Sequence, residues 1–129
     1  MKQIYTSLLL SALLLLSSFK TQQGIDEVIG ALKSGNAAEL ARYLDDNVEL
    51  TLPEKSDSYS KAQAQVIIKD FFSNNGVKGF ELKHKGNSPS GNFAIGTLQT
   101  GSGNFRTNIF MRAKNGKDVV KEIRFQSID

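Results

Sequence analysis

From Phe80 to Ser127 the chain falls into four consecutive runs in which apolar and polar side chains largely alternate, the period-two signature of half-buried antiparallel strands. In Phe105–Ala113, one face carries Phe105, Thr107, Ile109 and Met111, and the other carries Arg106, Asn108, Phe110 and Arg112. In Val119–Ser127, Val119, Ile123 and Phe125 oppose Val120, Glu122, Arg124 and Gln126, with Lys121 an exception on the apolar side. In Phe80–Lys85, Phe80, Leu82 and His84 oppose Glu81, Lys83 and Lys85. Phe93–Thr100 mixes the two faces, as a central strand covered partly on both sides does. Asn115-Gly116 supplies the two positive-φ residues of a type I′ turn between the last two strands. One face of this sheet is apolar, and its cover has to come from the first half of the chain.

That half changes period. Ile25, Val28, Ile29 and Leu32 recur at i, i+3, i+4 and i+7, which predicts a short helix closed by Gly35. Asn36 caps a second helix, with Glu39 completing an Asn-x-x-Glu box and Leu40, Tyr43 and Leu44 on its buried face. Asp45-Asp46-Asn47 reads as a turn, and Val48–Leu52 as a strand ended by Pro53, with Ser58-Tyr59 a short edge strand. Ser60 caps the longest helix, Lys61–Ser73, whose apolar face is Ala64, Ile67, Ile68, Phe71 and Phe72; Gly76 stops it. The expected order is helix, helix, strand, helix and four strands: an α+β fold with three N-terminal helices on one face of a curved, mainly antiparallel sheet. A hollow between the long helix and the inner sheet face, open at one end, is expected with it.

Composition narrows the setting. Lys2 followed by an apolar run over Leu8–Leu16 has the form of a secretory signal, too short to span a bilayer, which needs about 20 apolar residues. Residues 1–18 are therefore expected to be removed, with cleavage between Ser18 and Thr21, leaving 22–129 as one domain that is periplasmic or secreted. Zero cysteines exclude a disulfide framework, thiol chemistry and a lipid-anchored cysteine. The charge is divided: Thr21–Ser60 holds 3 basic and 8 acidic residues, and Lys61–Asp129 holds 11 basic and 5 acidic. Either the two halves attract each other in the fold, or Lys83, Lys85, Arg106, Arg112 and Arg124 build a basic sheet surface for an anionic partner.

The element order resembles the nuclear transport factor 2-like superfamily, also termed ketosteroid isomerase-like or cystatin-like, and implies a cystatin-like α+β roll. Five stretches, Ala38-Glu39-Leu40-Ala41-Arg42-Tyr43-Leu44, Asn47-Val48-Glu49-Leu50-Thr51, Tyr59-Ser60-Lys61-Ala62-Gln63-Ala64, Lys69-Asp70-Phe71-Phe72 and Ala94-Ile95-Gly96-Thr97-Leu98, look like a narrower family of small exported Bacteroidetes proteins, domain of unknown function 4783. That family carries no activity to transfer. The superfamily holds isomerases, dehydratases, hydrolases and adaptors, so the fold alone decides nothing about function.

A ketosteroid isomerase-type site needs a carboxylate base and an acidic donor in an apolar pocket. The positions assigned to the inner sheet face contain no Asp or Glu, and the carboxylates fall at helix starts and turns. His84, the single histidine, has no companions for a metal site and no third group to complete a triad with Thr107. Gly101-x-Gly103 joins two strands and is no phosphate loop. One aromatic, Phe110, on the basic face is too few for a nucleic-acid stacking platform. The sequence thus points to a non-catalytic domain that binds a small apolar or amphipathic ligand or a protein partner, with no cofactor and no metal. Tyr59, His84 and Thr107 are the ligand-binding candidates. Arg106, Asn108, Phe110 and Arg112 are the candidates for an interface, a homodimer through the outer sheet face among the partners. The alternative is a small cofactor-free lyase, isomerase or hydrolase centred on His84 and a Tyr hydroxyl.

Overall fold

The computed structural model describes residues 23–128, so the expected signal segment and its cleavage region lie outside the described residues. The described residues open with helix α1 (Gln23–Ser34) and the five-residue α2 (Ala37–Ala41). Strand β1 (Leu44–Thr51) turns into β2 (Ser56–Ser60), and α3 (Lys61–Asn75) follows at once. The meander is β3 (Val77–Ser88), β4 (Gly91–Thr100), β5 (Gly103–Lys114) and β6 (Lys117–Ser127). These six strands form one sheet in the order β2-β1-β6-β5-β4-β3. The pairs are antiparallel except β1 with β6, which run parallel. The α+β class and the helix–helix–strand–helix–meander order hold.

Local chemistry accounts for the boundaries. The Ser60 hydroxyl accepts from the Gln63 amide at 3.2 Å while the Gln63 side chain accepts from the Ser60 amide at 3.2 Å, a complete capping box. At α2 the box is half made: Asn36 accepts from the Glu39 amide at 3.0 Å, but the Glu39 carboxylate pairs with Arg42 instead. Gly35 and Gly76 close α1 and α3 at φ 65° and 68°, where a side chain would strain the backbone. Asn115 and Gly116 take φ 53° and 79°, the expected type I′ turn.

The helices cover one sheet face. Leu32, Leu40, Ile68 and Phe72 pack in a single cluster with Leu98, Ile109, Ile123 and Phe125 of the sheet. Each such fully buried side chain contributes roughly 1.5–3 kcal/mol. Several expectations are corrected. α2 stops at Ala41, so Tyr43 and Leu44 lie beyond it, and Asp45-Asp46-Asn47 is a bowed part of β1, not a free turn. Pairing passes from Leu44↔Val120 to Glu49↔Glu122, so β1 takes three more steps than β6 there.

Bulges break the alternation elsewhere. Pairs Phe110↔Glu122 and Met111↔Val120 leave Lys121 without an opposite residue, so the parity of β6 flips there. Val120, read as outward, is fully buried, and Val119 is only half-buried. Leu82↔Gly96 and His84↔Ile95 likewise leave Lys83 extra, and Val77↔Thr100 with Gly79↔Gln99 leave Lys78 extra. Each of these three unpaired residues is a lysine; Lys78 and Lys83 lie on the edge strand β3, where their charge discourages pairing with another strand.

Candidate functional site

The expected hollow is largely filled. Phe71 of α3 packs its ring 4.9 Å from that of Phe125 and 5.1 Å from that of Phe105, and Phe72 meets Phe125 at 6.0 Å, centroid to centroid. Thr107 is fully buried on the covered face and donates its hydroxyl to the Phe105 carbonyl at 3.2 Å. Among the described residues the buried polar or charged side chains are Asp45, Thr100 and Thr107. What survives of the hollow is a cleft of about 510 Å³ at its mouth, between α3, the β1–β2 turn and the start of β5.

The three ligand-binding candidates do not converge. The Lys83 bulge sends His84 to the opposite face from Thr107, where it is exposed with its ring 5.3 Å from that of Phe93. The inward register assigned to His84 is thereby corrected, and Leu82, which stays in that register, is 37% exposed beyond the helices. Tyr59 is half-buried on β2 opposite Val48, with the Lys55 ammonium 5.7 Å above its ring. None of the three lines a described cavity. Among the described residues no cluster of His, Asp and Glu has the grouping a metal ion requires.

The interface candidates do share one surface. Arg106↔Thr97, Asn108↔Ile95 and Phe110↔Phe93 stand side by side on the uncovered face of β5 and β4. The next column brings Gln126, Arg124 and Glu122 opposite the same three residues of β5, and Arg112 faces Val119. Phe93, Ile95 and Phe110 are half-buried only by their neighbours on this face and stand outside the core cluster. The Phe93 ring lies across Gly86, where a Cβ would come within 2.4 Å of it. At the centre, Asn108 Oδ1 is shielded from water and has no hydrogen-bond partner among the described residues. Phe93 and Ile95 escaped the sequence reading because the β4 pattern fits either face.

The basic surface expected here is thinner than its sequence implied. Lys83 pairs with Glu81 at 2.8 Å, Arg124 with Glu122, and Lys85 turns to the covered side to meet Asp26 of α1 at 2.9 Å. These pairs are exposed, and each is worth at most about 1 kcal/mol. The buried ion cluster lies elsewhere. Asp45, 5% exposed, accepts from Lys114 at 2.8 Å and from Lys121 at 2.7 Å. The two ammonium groups, Lys114 first, hold its carboxyl well below the ordinary carboxylate range despite burial. Lys114 is held above its own ordinary value by Asp45 and then by Asp46, 3.3 Å away. The cluster ties the β5–β6 hairpin to the bowed start of β1.

A wider groove of about 1090 Å³ opens where the β3–β4 and β5–β6 turns meet the start of α1, with Arg42, Tyr43, Arg112 and Lys117 on its walls.

Comparison with known proteins agrees with this architecture. The family described as "domain of unknown function (DUF4783)" matches residues 25–126. A crystal structure of a DUF4783 family protein from Bacteroides uniformis ATCC 8492 superposes with a TM-score of 0.78 at 41% identity, covering 81% of this chain and 96% of that one. Another from Bacteroides ovatus ATCC 8483 gives 0.77 at 36% identity, covering 80% and 94%. An NTF2-like protein of unknown function from Cytophaga hutchinsonii ATCC 33406 gives 0.61 at 11% identity, covering 84% and 90%, a likeness of fold alone. Among curated proteins none matches the chain.

Proposed function

The chain belongs to the domain of unknown function 4783 family with a nuclear transport factor 2-like fold, and from that premise we propose that it is an exported, non-catalytic binding domain whose working surface is the uncovered sheet face. The occupant we assign to that face is a second copy of this chain. The observation that carries the reading is the patch of Phe93, Ile95 and Phe110, half-buried apolar side chains that stand side by side on the uncovered face, outside the core cluster, with Arg106 and Arg112 beside them. Aromatic side chains ringed by arginine on an exposed sheet face have the composition of an interface, and a two-fold copy would cover the patch with the same patch. The charges on the same face are of both signs, Arg106, Arg112 and Arg124 against Glu81, Glu49 and Glu122, so an antiparallel copy meets opposite charge. Export is supported by the Lys2 and Leu8–Leu16 pattern, and the interior filled by Phe71, Phe72, Phe105 and Phe125 supports a binding role over a catalytic one.

Sedimentation of the protein across a range from roughly 1 μM to 1 mM, the span of weak to moderate homodimers, tests the pairing. A dimer that becomes a monomer of unchanged circular dichroism in Phe110→Asp supports it. A monomer at every concentration, or a dimer indifferent to Phe110→Asp, sinks it. Mass spectrometry of the chain recovered from cells tests export: a mature start between residues 19 and 22 supports it, and an intact Met1 refutes it.

A further inference from the structure

The cleft at the mouth of the filled hollow carries a separate inference, independent of the sheet-face reading. Its floor is Leu52, Ile67, Phe71 and Phe105, with Phe71 and Phe105 set edge to face at 66° between ring planes. Its volume, about 510 Å³, falls within the range of small-molecule sites. Three sources of negative potential look onto this apolar floor. Asp70 on α3 and Glu54 on the β1–β2 turn are exposed carboxylates with no ion pair among the described residues. The third is the C-terminus of the 15-residue α3 at Asn74 and Asn75, the negative end of its dipole. The cation on the rim, Lys55, is drawn over the Tyr59 ring of the neighbouring strand.

We propose that this cleft binds an amphipathic ammonium compound, its apolar or aromatic body on Phe71 and Phe105 and its cation between Asp70 and Glu54. An aromatic floor contributes to this match twice, through apolar burial and through the attraction of a ring face for a cation. A carboxylate-bearing ligand of the same size meets the opposite field. The sequence hid the site because Glu54 and Asp70 stand 16 positions apart and each reads as an ordinary solvating charge.

Three probes of matched size separate the class from the place: 2-phenylethylammonium, 2-phenylethanol and 3-phenylpropanoate, titrated into the protein and followed by amide chemical shifts. The expected result is saturable shifts at Ile67, Asp70, Phe71 and Phe105 with the ammonium compound, roughly threefold weaker binding of the alcohol, and no saturation with the carboxylate. In the double variant Glu54→Gln, Asp70→Asn the ammonium compound should fall to the affinity of the alcohol, which should not change. Equal binding of all three overturns the ammonium assignment. Saturation at other residues, or none at any accessible concentration, overturns the site itself.

Discussion

Asp45 and Lys121 meet at 2.7 Å across the parallel β1–β6 seam, joining the residue where β1 bows to the residue that bulges from β6. The two irregularities belong together: the bow turns the carboxylate inward, and the bulge frees a lysine to meet it. Asp45→Asn keeps the shape and removes the charge, and should destabilise the fold by about 2 kcal/mol at pH 7, the scale of a charge-assisted hydrogen bond. The pH dependence has a definite sign. Because the folded carboxyl titrates below its ordinary value, its contribution is complete above about pH 4 and is lost as pH falls further. Urea midpoints measured from pH 7 to pH 2.5 should therefore show the wild type and Asp45→Asn converging on the acid side. A constant gap would mean that the cluster contributes through packing rather than charge.

How far the sequence disclosed this follows from what period-two patterning contains. It reports which side of a strand a residue faces as long as the ladder is unbroken, and along β5 Phe105, Thr107, Ile109 and Met111 all lie buried on the face their alternation indicates. One extra residue inverts everything beyond it, and nothing in Lys83 or Lys121 announces that it is unpaired. That inversion puts His84 on the uncovered face and Val120, rather than Val119, in the core. Partner strands are equally silent in the pattern: that β1 runs parallel to β6 depends on where the chain returns after α3. The outer patch was half legible, through Phe110 and its arginines, and the cleft was not, because its walls come from three separate elements.

Two glycines should respond to the same substitution in opposite directions. Gly30 lies in α1 with open space around a built Cβ, so Gly30→Ala should stabilise the protein by about 1 kcal/mol through helix propensity. At Gly96, on the covered side of β4, a Cβ would approach both the Glu81 carbonyl oxygen and the Phe80 ring to 2.4 Å. The ring can turn, but the carbonyl belongs to the β3 ladder, so Gly96→Ala should cost roughly 1–3 kcal/mol. Thermal melts of both variants check the pair, and a neutral Gly96→Ala would mean that β3 yields more easily than its pairing implies.

Phe71 and His84 give a contrast between a residue that fills the interior and one outside it. Phe71 bridges Phe105 and Phe125, and its truncation to Ala should cost about 2–3 kcal/mol, below the full value for a core Phe because the ring is half-exposed at the cleft. His84→Ala, on the exposed side of the bulge, should change stability by less than about 0.5 kcal/mol. Paired urea denaturation at pH 7 reads both. A His84→Ala loss comparable to that of Phe71→Ala would place the imidazole in a structural contact that its exposed position does not provide.

Asn108 separates the needs of the monomer from those of the pairing. Among the described residues of one chain nothing satisfies its shielded Oδ1, so Asn108→Val removes a desolvated acceptor and places a β-branched residue in a central strand. Measured below the dimerisation range, the variant should be more stable than the wild type by about 1 kcal/mol. Because the shielded oxygen is closed to an approaching donor as well as to water, the same change should leave the dissociation constant of the paired sheet faces within about threefold of the wild type. Stability then rises while association stays put, in contrast to Phe110→Asp, which should abolish the pairing. A variant that gains stability and no longer dimerises would show that the Asn108 amide, rather than the aromatic patch around it, makes the contact.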